Sequence, residues 1–364
     1  MLILAAIILA AVLVLLFFPF YYLTLVLRKR FYDKGFFKSV KFEIPVVSIG
    51  NVTVGGTGKT PHTEMLVEAL KDKYKLAVVS LGYKRKTKGF YIVKAEDDYK
   101  QCGDEPLQIK RKFPDIIVAV CKQREVAIRT LIDDYGVNFI LLDDGYQYRK
   151  VLPSFNTLLV SYKRPIHKDR VLPFGRLRDL ASGSDRADAV IISKSPNFAL
   201  EDGNELEHLA IERTAAEEVK WRSDLKLRPD QKLYFSTLYY KAPEPVFPSE
   251  ANQRYVYSKF AVCFSGIASD YEFKSQLVSS YKIERSLKFP DHINFSKRSV
   301  RRIVRMARLQ PEAVVMTTEK DCMRLKNNKF LPIDVKARMF YLPVGCKIIP
   351  LAKHQEFLDG VQKM

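Results

Sequence analysis

The sequence predicts an α/β protein with a parallel sheet and helices on both faces, a smaller α/β second domain, and an N-terminal hydrophobic helix. Three observations predict it. Residues 1–27 contain no charged side chain. Beyond residue 45, short apolar, β-branched runs alternate with helical stretches. A Gly- and Thr-rich turn joins the first run to the first helix.

The N-terminal run reads MLILAAIILAAVLVLLFFPFYYLTLVL. As a helix it would be about 40 Å long, and roughly 20 apolar residues cross a hydrocarbon core. A membrane anchor over 1–27 is therefore expected. Pro19 and the aromatic residues Phe17, Phe18, Phe20, Tyr21 and Tyr22 also suit a helix embedded at the interface. Arg28, Lys29, Arg30, Lys34, Lys38 and Lys41 follow the run, which by the positive-inside rule keeps the remaining chain cytoplasmic. The basic residues follow the apolar run and do not precede it, unlike a cleaved signal.

Strands are expected over 46–49, 76–80, 116–120, 139–142, 156–161 and 189–193, with a helix from Pro61 to about Leu70 and another over 123–134. Strands alternating with helices give a parallel sheet. After residue 195 the pattern loosens and includes the KAPEPVFPSE stretch. The expected division is 28–195 for the main domain and 196–364 for a smaller C-terminal one. In the latter, 260–264 and 313–316 read as strands and 297–309 as a basic helix.

The balance of 60 Lys+Arg against 41 Asp+Glu leaves a formal charge of +19, which favours anionic partners. No nucleic-acid module accompanies it, so nucleic acid is not expected. The five cysteines form no CxxC pair and no metal-ligand spacing. They read as core thiols in a reducing compartment.

The strongest chemical signal is the loop Gly50 to Thr60, which follows a strand and opens a helix. Its glycines let backbone N–H groups approach phosphate oxygens, and the helix N-terminus adds positive potential. Thr53, Val54, Gly55, Gly56, Thr57, Gly58, Lys59 and Thr60 are the expected nucleotide-binding residues. Lys59 would bridge the β- and γ-phosphates, and the Thr60 hydroxyl would face Mg²⁺. Thr53 stands where the usual Walker A pattern has glycine. The strand over 139–142 runs into Asp143 and Asp144, carboxylates suited to holding Mg²⁺ directly or through water. Together these read as a P-loop nucleotide fold. Gly103-Asp104-Glu105-Pro106 alone reads as a turn. Phe289-Pro290-Asp291-His292 places one of five histidines beside an acid, an arrangement open to acid–base work.

The stretches VVSIGNVTVGGTGKTP, SLGYKRKTKGF, GDEP, LLDDGYQYR, VLPFGRLRD, SGIA, FPDH and TTEKD, in that order, resemble the tetraacyldisaccharide 4'-kinase family. They extend from about Pro45 to Asp321. The resemblance implies an enzyme that transfers the γ-phosphate of ATP, with Mg²⁺, to the 4'-hydroxyl of a lipid disaccharide 1-phosphate. It implies the cytoplasmic face of a Gram-negative inner membrane, and a second domain closing over the reaction. It makes Asp104 the catalytic base, assisted by His292, with Lys59 at the phosphates and Asp143 and Asp144 at the metal. Glu105, Arg124 and Gln147 become substrate or phosphate contacts. The partners it implies are the lipid disaccharide monophosphate and an anionic membrane surface, with no obligate protein partner. Leu81 stands where the family commonly has Arg, leaving Lys84 or Arg85 as substitutes, and Tyr148 stands where it often has His. The alternative reading is a membrane-associated P-loop NTPase acting as an assembly or regulatory switch. A GTPase lacks support, because Thr318-Glu319-Lys320-Asp321 does not fit an N-K-x-D base-reading motif.

Overall fold

Parallel pairing dominates the architecture seen in a computed structural model of the chain. It describes the backbone of residues 2–201, 204–255 and 257–363, with side chains described for these except 2–17 and 204–205. The chain forms two compact units, both discontinuous in sequence. One comprises 1–80, 123–238 and 347–364, and the other 81–122 and 239–346. The single boundary expected near residue 195 is thus replaced by four crossings. The physical reason is visible in the pairing. The loosened stretch after residue 195 leads into the helix Glu207–Leu225, and the next strand still joins the first unit's sheet.

In the first unit, Val46–Gly50 lies between Phe139–Asp143 and Phe155–Ser161, parallel to both. Leu76–Ser80 pairs with the far side of Phe139–Asp143. Ala189–Ser193 pairs with Phe155–Ser161, and Lys232–Tyr240 with Ala189–Ser193. The expected strands are present, with ends moved by a residue or so. Every residue of Val46–Gly50, Leu76–Ser80, Phe139–Asp143 and Ala189–Ser193 is buried, as strands covered on both faces must be. Leu158, Val190, Ile192, Trp221 and Phe235 form one apolar core in this unit. The register pairs Ile49 with Asp143 and Gly50 with Leu158. The Gly-rich loop therefore leaves the carboxyl edge of the sheet beside the two aspartates, where open parallel sheets hold ligands.

A helix runs Leu2–Asp33 with Pro19 inside it. Its later turns are seated on the first unit: Leu25 is buried, Arg28 donates to the Gln147 carbonyl at 2.7 Å, and Arg149 pairs with Asp33 at 2.7 Å. The anchor expectation falls largely on side chains 1–17, which lie outside the described residues. Among the residues described, no helix is long and apolar enough to cross a membrane.

The second unit has its own parallel core. Phe260–Ser265 lies between Lys282–Lys288 and Val314–Thr318, and Met339–Leu342 extends the sheet beyond Val314–Thr318. Ala261, Cys263, Phe273, Leu277 and Met316 pack its interior. The helix Asp104–Lys112 belongs here. It meets the helix Glu319–Leu325 through Arg111 against Met323 and through Lys112 paired with Glu319. All five cysteines are buried.

Candidate active site

The helix after the Gly-rich loop begins at Lys59, two residues before the expected Pro61, so the proline sits in its first turn. Gly58 precedes it with φ 84° and Gly55 has φ 112°, left-handed geometry that favours glycine. Thr53 does not need that freedom. It forms an antiparallel bridge with Leu177, so its backbone is extended and a β-branched residue suits it. This accounts for the departure from the usual pattern.

The 176–178 segment pins the loop. Val54 N–H donates to the Arg176 carbonyl at 2.8 Å, and Arg178 N–H to the Val52 carbonyl at 2.9 Å. The Arg178 guanidinium donates to Asn51 Oδ1 at 2.8 Å and to Asp144 Oδ1 at 2.9 Å. Asn51 in turn donates to Thr57 Oγ1 at 2.7 Å. Lys59 Nζ lies 3.8 Å from Asp144. Burial pushes the Asp144 carboxyl up, but the charges of Lys59, Arg178 and Arg124 outweigh it and hold the group below the usual carboxylate range. Asp143 is fully buried and accepts from Thr63 Oγ1 at 3.0 Å and Ser80 Oγ at 3.4 Å. Thr60 is buried beside Lys59 at the start of the same helix. Hydroxyl and carboxylate oxygens are the hard donors that Mg²⁺ takes, so Thr60, Asp143 and Asp144 fit that ion chemically.

Arg124 is buried, and its guanidinium lies over the Tyr148 ring at 4.7 Å. The Tyr148 hydroxyl accepts from the Arg124 amide at 3.2 Å and donates to Glu125. The tyrosine thus supports Arg124. Gln147 is half-buried and enters through its carbonyl, which accepts from Arg28.

His62, like Arg178, is a residue of this region that the sequence did not single out. It is fully buried, with Nδ1 2.7 Å from the Gly58 carbonyl and Nε2 2.8 Å from Ser236 Oγ. Burial lowers its pKa to about 4, against a smaller opposing effect of the Gly58 hydrogen bond, so the ring is neutral near pH 7. It ties the left-handed glycine of the loop to the neighbouring strand.

The second unit carries the other group. Asp104 opens a helix, where the helix dipole favours an anion, and Gly103 precedes it with φ 98°. His292 Nδ1 lies 3.1 Å from Asp104 Oδ2, so the two residues named from distant motifs do meet. His292 holds φ 54°, an uncommon conformation for a non-glycine residue. Its amide donates to the Gly266 carbonyl at 3.2 Å. Arg324 donates to Asp104 Oδ2 through Nε at 2.9 Å and also through Nη2. Lys320 pairs with Glu105. Burial pushes the Asp104 carboxyl up, but the His292 hydrogen bond and the Arg324 and Lys320 charges outweigh it. The carboxyl is held well below the usual carboxylate range. The GDEP, SGIA, FPDH and TTEKD stretches thus converge on one carboxylate. Arg324, one turn beyond TTEKD, went unnoticed because a lone Arg on a short helix carries no local signal.

At the Leu81 turn, Arg85 donates to the Val120 carbonyl at 2.8 Å and the Gly89 carbonyl at 2.5 Å. Lys84 lies over the Tyr83 ring at 5.4 Å.

A parallel sheet whose central strand feeds a Gly-rich loop and a helix, with paired carboxylates at its carboxyl edge, defines a P-loop fold. The family model described as LpxK, tetraacyldisaccharide-1-P 4'-kinase, matches residues 10–363, and the chain belongs to that family. It is 39% identical over 332 residues to the tetraacyldisaccharide 4'-kinase of Porphyromonas gingivalis, covering 89% of this chain and 88% of that protein. The protein of the same name from Flavobacterium johnsoniae is 35% identical over 346 residues, with 94% of each chain covered. A solved structure of LpxK from Aquifex aeolicus in complex with ATP is similar with a TM-score of 0.70 and 25% identity. That match covers 96% of this chain and 98% of the other.

The His62 geometry has a measurable consequence. Its folded pKa lies below its unfolded value, so its contribution is complete above about pH 6.5 and is lost as pH falls toward 4. A shift of that size is worth roughly 3 kcal/mol. Urea denaturation of wild type and His62→Gln at pH 7 and pH 4.5 should show wild type losing most of its advantage at the lower pH. A gap equal at both values would contradict a buried neutral ring.

Proposed function

We propose that the chain transfers the γ-phosphate of ATP to the 4'-hydroxyl of a tetraacyldisaccharide 1-phosphate at a membrane surface. The observation that carries this reading is the family match over residues 10–363, with Lys59 and Thr60 opening their helix and Asp143 and Asp144 at the end of their strand.

Phosphoryl transfer depends on positioning and on charge stabilisation more than on covalent chemistry by the protein. Loop amides and Lys59 hold the β- and γ-phosphates. Arg178 keeps the arch of the loop and Asp144 in one geometry through Asn51. Arg124 Nε and Arg178 Nε are buried without a hydrogen-bond partner among the described residues, and an anionic ligand supplies acceptors for donors of that kind. Mg²⁺, held by Thr60, Asp143 and Asp144, would neutralise charge on the phosphate oxygens. Asp104 accepts the proton of the attacking hydroxyl, and His292 orients it. Glu105, next to Asp104 in the chain, is paired with Lys320 and is the proposed acceptor contact.

The membrane partner follows from charge and from the substrate's acyl chains. The helix Lys297–Arg308 carries six basic residues and no acidic one. An anionic bilayer suits such a surface, as it suits the basic cluster after residue 27. We assign the site to the cytoplasmic face of a bacterial inner membrane on the same grounds.

A transfer assay with labelled ATP, Mg²⁺ and the lipid acceptor tests the reading. Wild type should label the lipid, and Lys59→Ala should abolish labelling. Asp104→Ala should lower turnover about 100-fold or more with little change in the KM for ATP, the range expected for a lost proton acceptor. Full turnover in Asp104→Ala would remove Asp104 from the chemistry. Nucleotide hydrolysis without any lipid labelling would point to an NTP-driven switch.

Vesicle flotation tests the membrane partner. Wild type should float with anionic vesicles, and a variant lacking residues 1–27 should remain mostly in solution. Flotation unaffected by the deletion would show that residues 1–27 are not the anchor.

A further inference from the structure

We propose that Arg324 is a positioning residue for the transfer, one that occupies Oδ2 of Asp104 and leaves Oδ1 to take the acceptor hydroxyl's proton. This rests on the reading of Asp104 as the proton acceptor.

The two oxygens of Asp104 are unequally engaged. Oδ2 receives Arg324 Nε at 2.9 Å and Arg324 Nη2, and faces His292 Nδ1 at 3.1 Å. Oδ1 accepts from the Glu105 amide at 3.0 Å. A carboxylate oxygen has about two lone-pair sites. Oδ2 is saturated, whereas Oδ1 keeps room for a hydroxyl.

Arg324 cannot easily turn away. Its side chain is 1% exposed, and Nη1 donates to Asp321 Oδ1 and to the Gly266 carbonyl, each at 2.9 Å. Asp321 is fully buried and accepts from the Gly266 amide and the Thr318 hydroxyl, each at 2.7 Å. The guanidinium is thus clamped on one side by Asp321 and Gly266 and holds Asp104 on the other. The planar fork of Arg suits this double contact, which Lys cannot reproduce.

The hydroxyl oxygen bonds to the γ-phosphorus, and the bond from that phosphorus to the bridging oxygen breaks with its electron pair on ADP. The hydroxyl proton passes to Oδ1 and then to solvent. In a loose transition state the nucleophile keeps its proton until late, so a weakly basic carboxylate serves.

Several charged groups face Asp104. Lys320, Asp321 and Arg324 do so from the 319–325 helix, and His292 from the loop after the Lys282–Lys288 strand, where Asp291 faces Arg324. Glu105 lies on its own helix, and Tyr99 and Cys102 on the preceding one. Of these, Arg324 and Lys320 are the cations that favour the ionised form, along with the His292 hydrogen bond. Removing Arg324 raises the Asp104 pKa, so activity is lost at higher pH as the medium is acidified.

The test uses the full chain with Arg324→Met and Arg324→Lys, each checked for folding by circular dichroism. Arg324→Met should lower kcat about 100-fold with an unchanged KM for ATP. The acidic limb of its kcat–pH profile should move up by about one pH unit or more. Arg324→Lys should recover part of the rate, with an intermediate limb. A rate loss with an unmoved limb would overturn the proposal, as would wild-type kinetics in either variant. If Arg324→Met does not fold, the limb of Arg324→Lys decides. If wild type labels no lipid, the functional reading fails, and the Asp104 carboxyl carbon-13 titration decides this inference separately. That signal, identified by its loss in Asp104→Asn, should titrate at higher pH in Arg324→Lys than in wild type, and equal titration would contradict the proposal.

Discussion

Burying the Asp104 carboxylate costs several kcal/mol unless cations and donors compensate it, and much of the second unit is arranged to supply that compensation. The segment 81–122 brings Asp104 in on a helix N-terminus. Gly266 and the strand before it leave room for Asp321, because a Cβ at Gly266 would lie 2.9 Å from the Asp321 carboxylate. Asp321 fixes Arg324, and Arg324 holds Asp104. The positive φ of His292 brings its ring to the same oxygen. Each of these features has little purpose without the carboxylate, and the carboxylate is not tolerable without them.

The first unit answers a different constraint. Its loop must present backbone amides to anions while keeping one shape. Three restraints from outside the loop achieve this: the 176–178 segment along one side, Arg178 through Asn51, and neutral His62 beneath Gly58. Lys59 and Asp144 form a weak pair at 3.8 Å, loose enough for Lys59 to turn to phosphate. Lys59 and Arg178 are both paired with Asp144. Catalysis by positioning demands such a preorganised arrangement.

Local pattern was enough for six strands of the main sheet, the Gly-rich loop and the Asp143–Asp144 pair, because each is a short run whose chemistry and secondary structure coincide, but not for the strand Lys232–Tyr240. His292 stood out locally as a histidine beside an acid, but the role of Asp104 and its pairing with His292 were legible only through resemblance. The two residues lie 188 residues apart and meet at 3.1 Å, and neither a GDEP turn nor one histidine carries a local signal of that contact. The unit boundaries were hidden for a similar reason. The chain leaves the first unit after Ser80, returns at Gln123, and leaves again after Leu238. Composition changes at neither of the first two, and the Pro-rich KAPEPVFPSE stretch begins three residues past the third. Arg178, His62 and Arg324 were missed because their roles exist only in tertiary contacts: a loop clamp, a buried neutral ring and a carboxylate clamp.

The central claim is a direct transfer in which Asp104 takes a proton and never carries the phosphate. A pinned carboxylate with one open oxygen is also the kind of group that some phosphotransferases use as a nucleophile, so the distinction is chemical. The measurement is the stereochemical course at phosphorus, with ATP made chiral at the γ-phosphorus by three oxygen isotopes and the lipid product analysed. Inversion is the predicted result, from a single in-line displacement by the sugar hydroxyl. Retention would contradict the account, because it requires two displacements through a phosphorylated protein side chain.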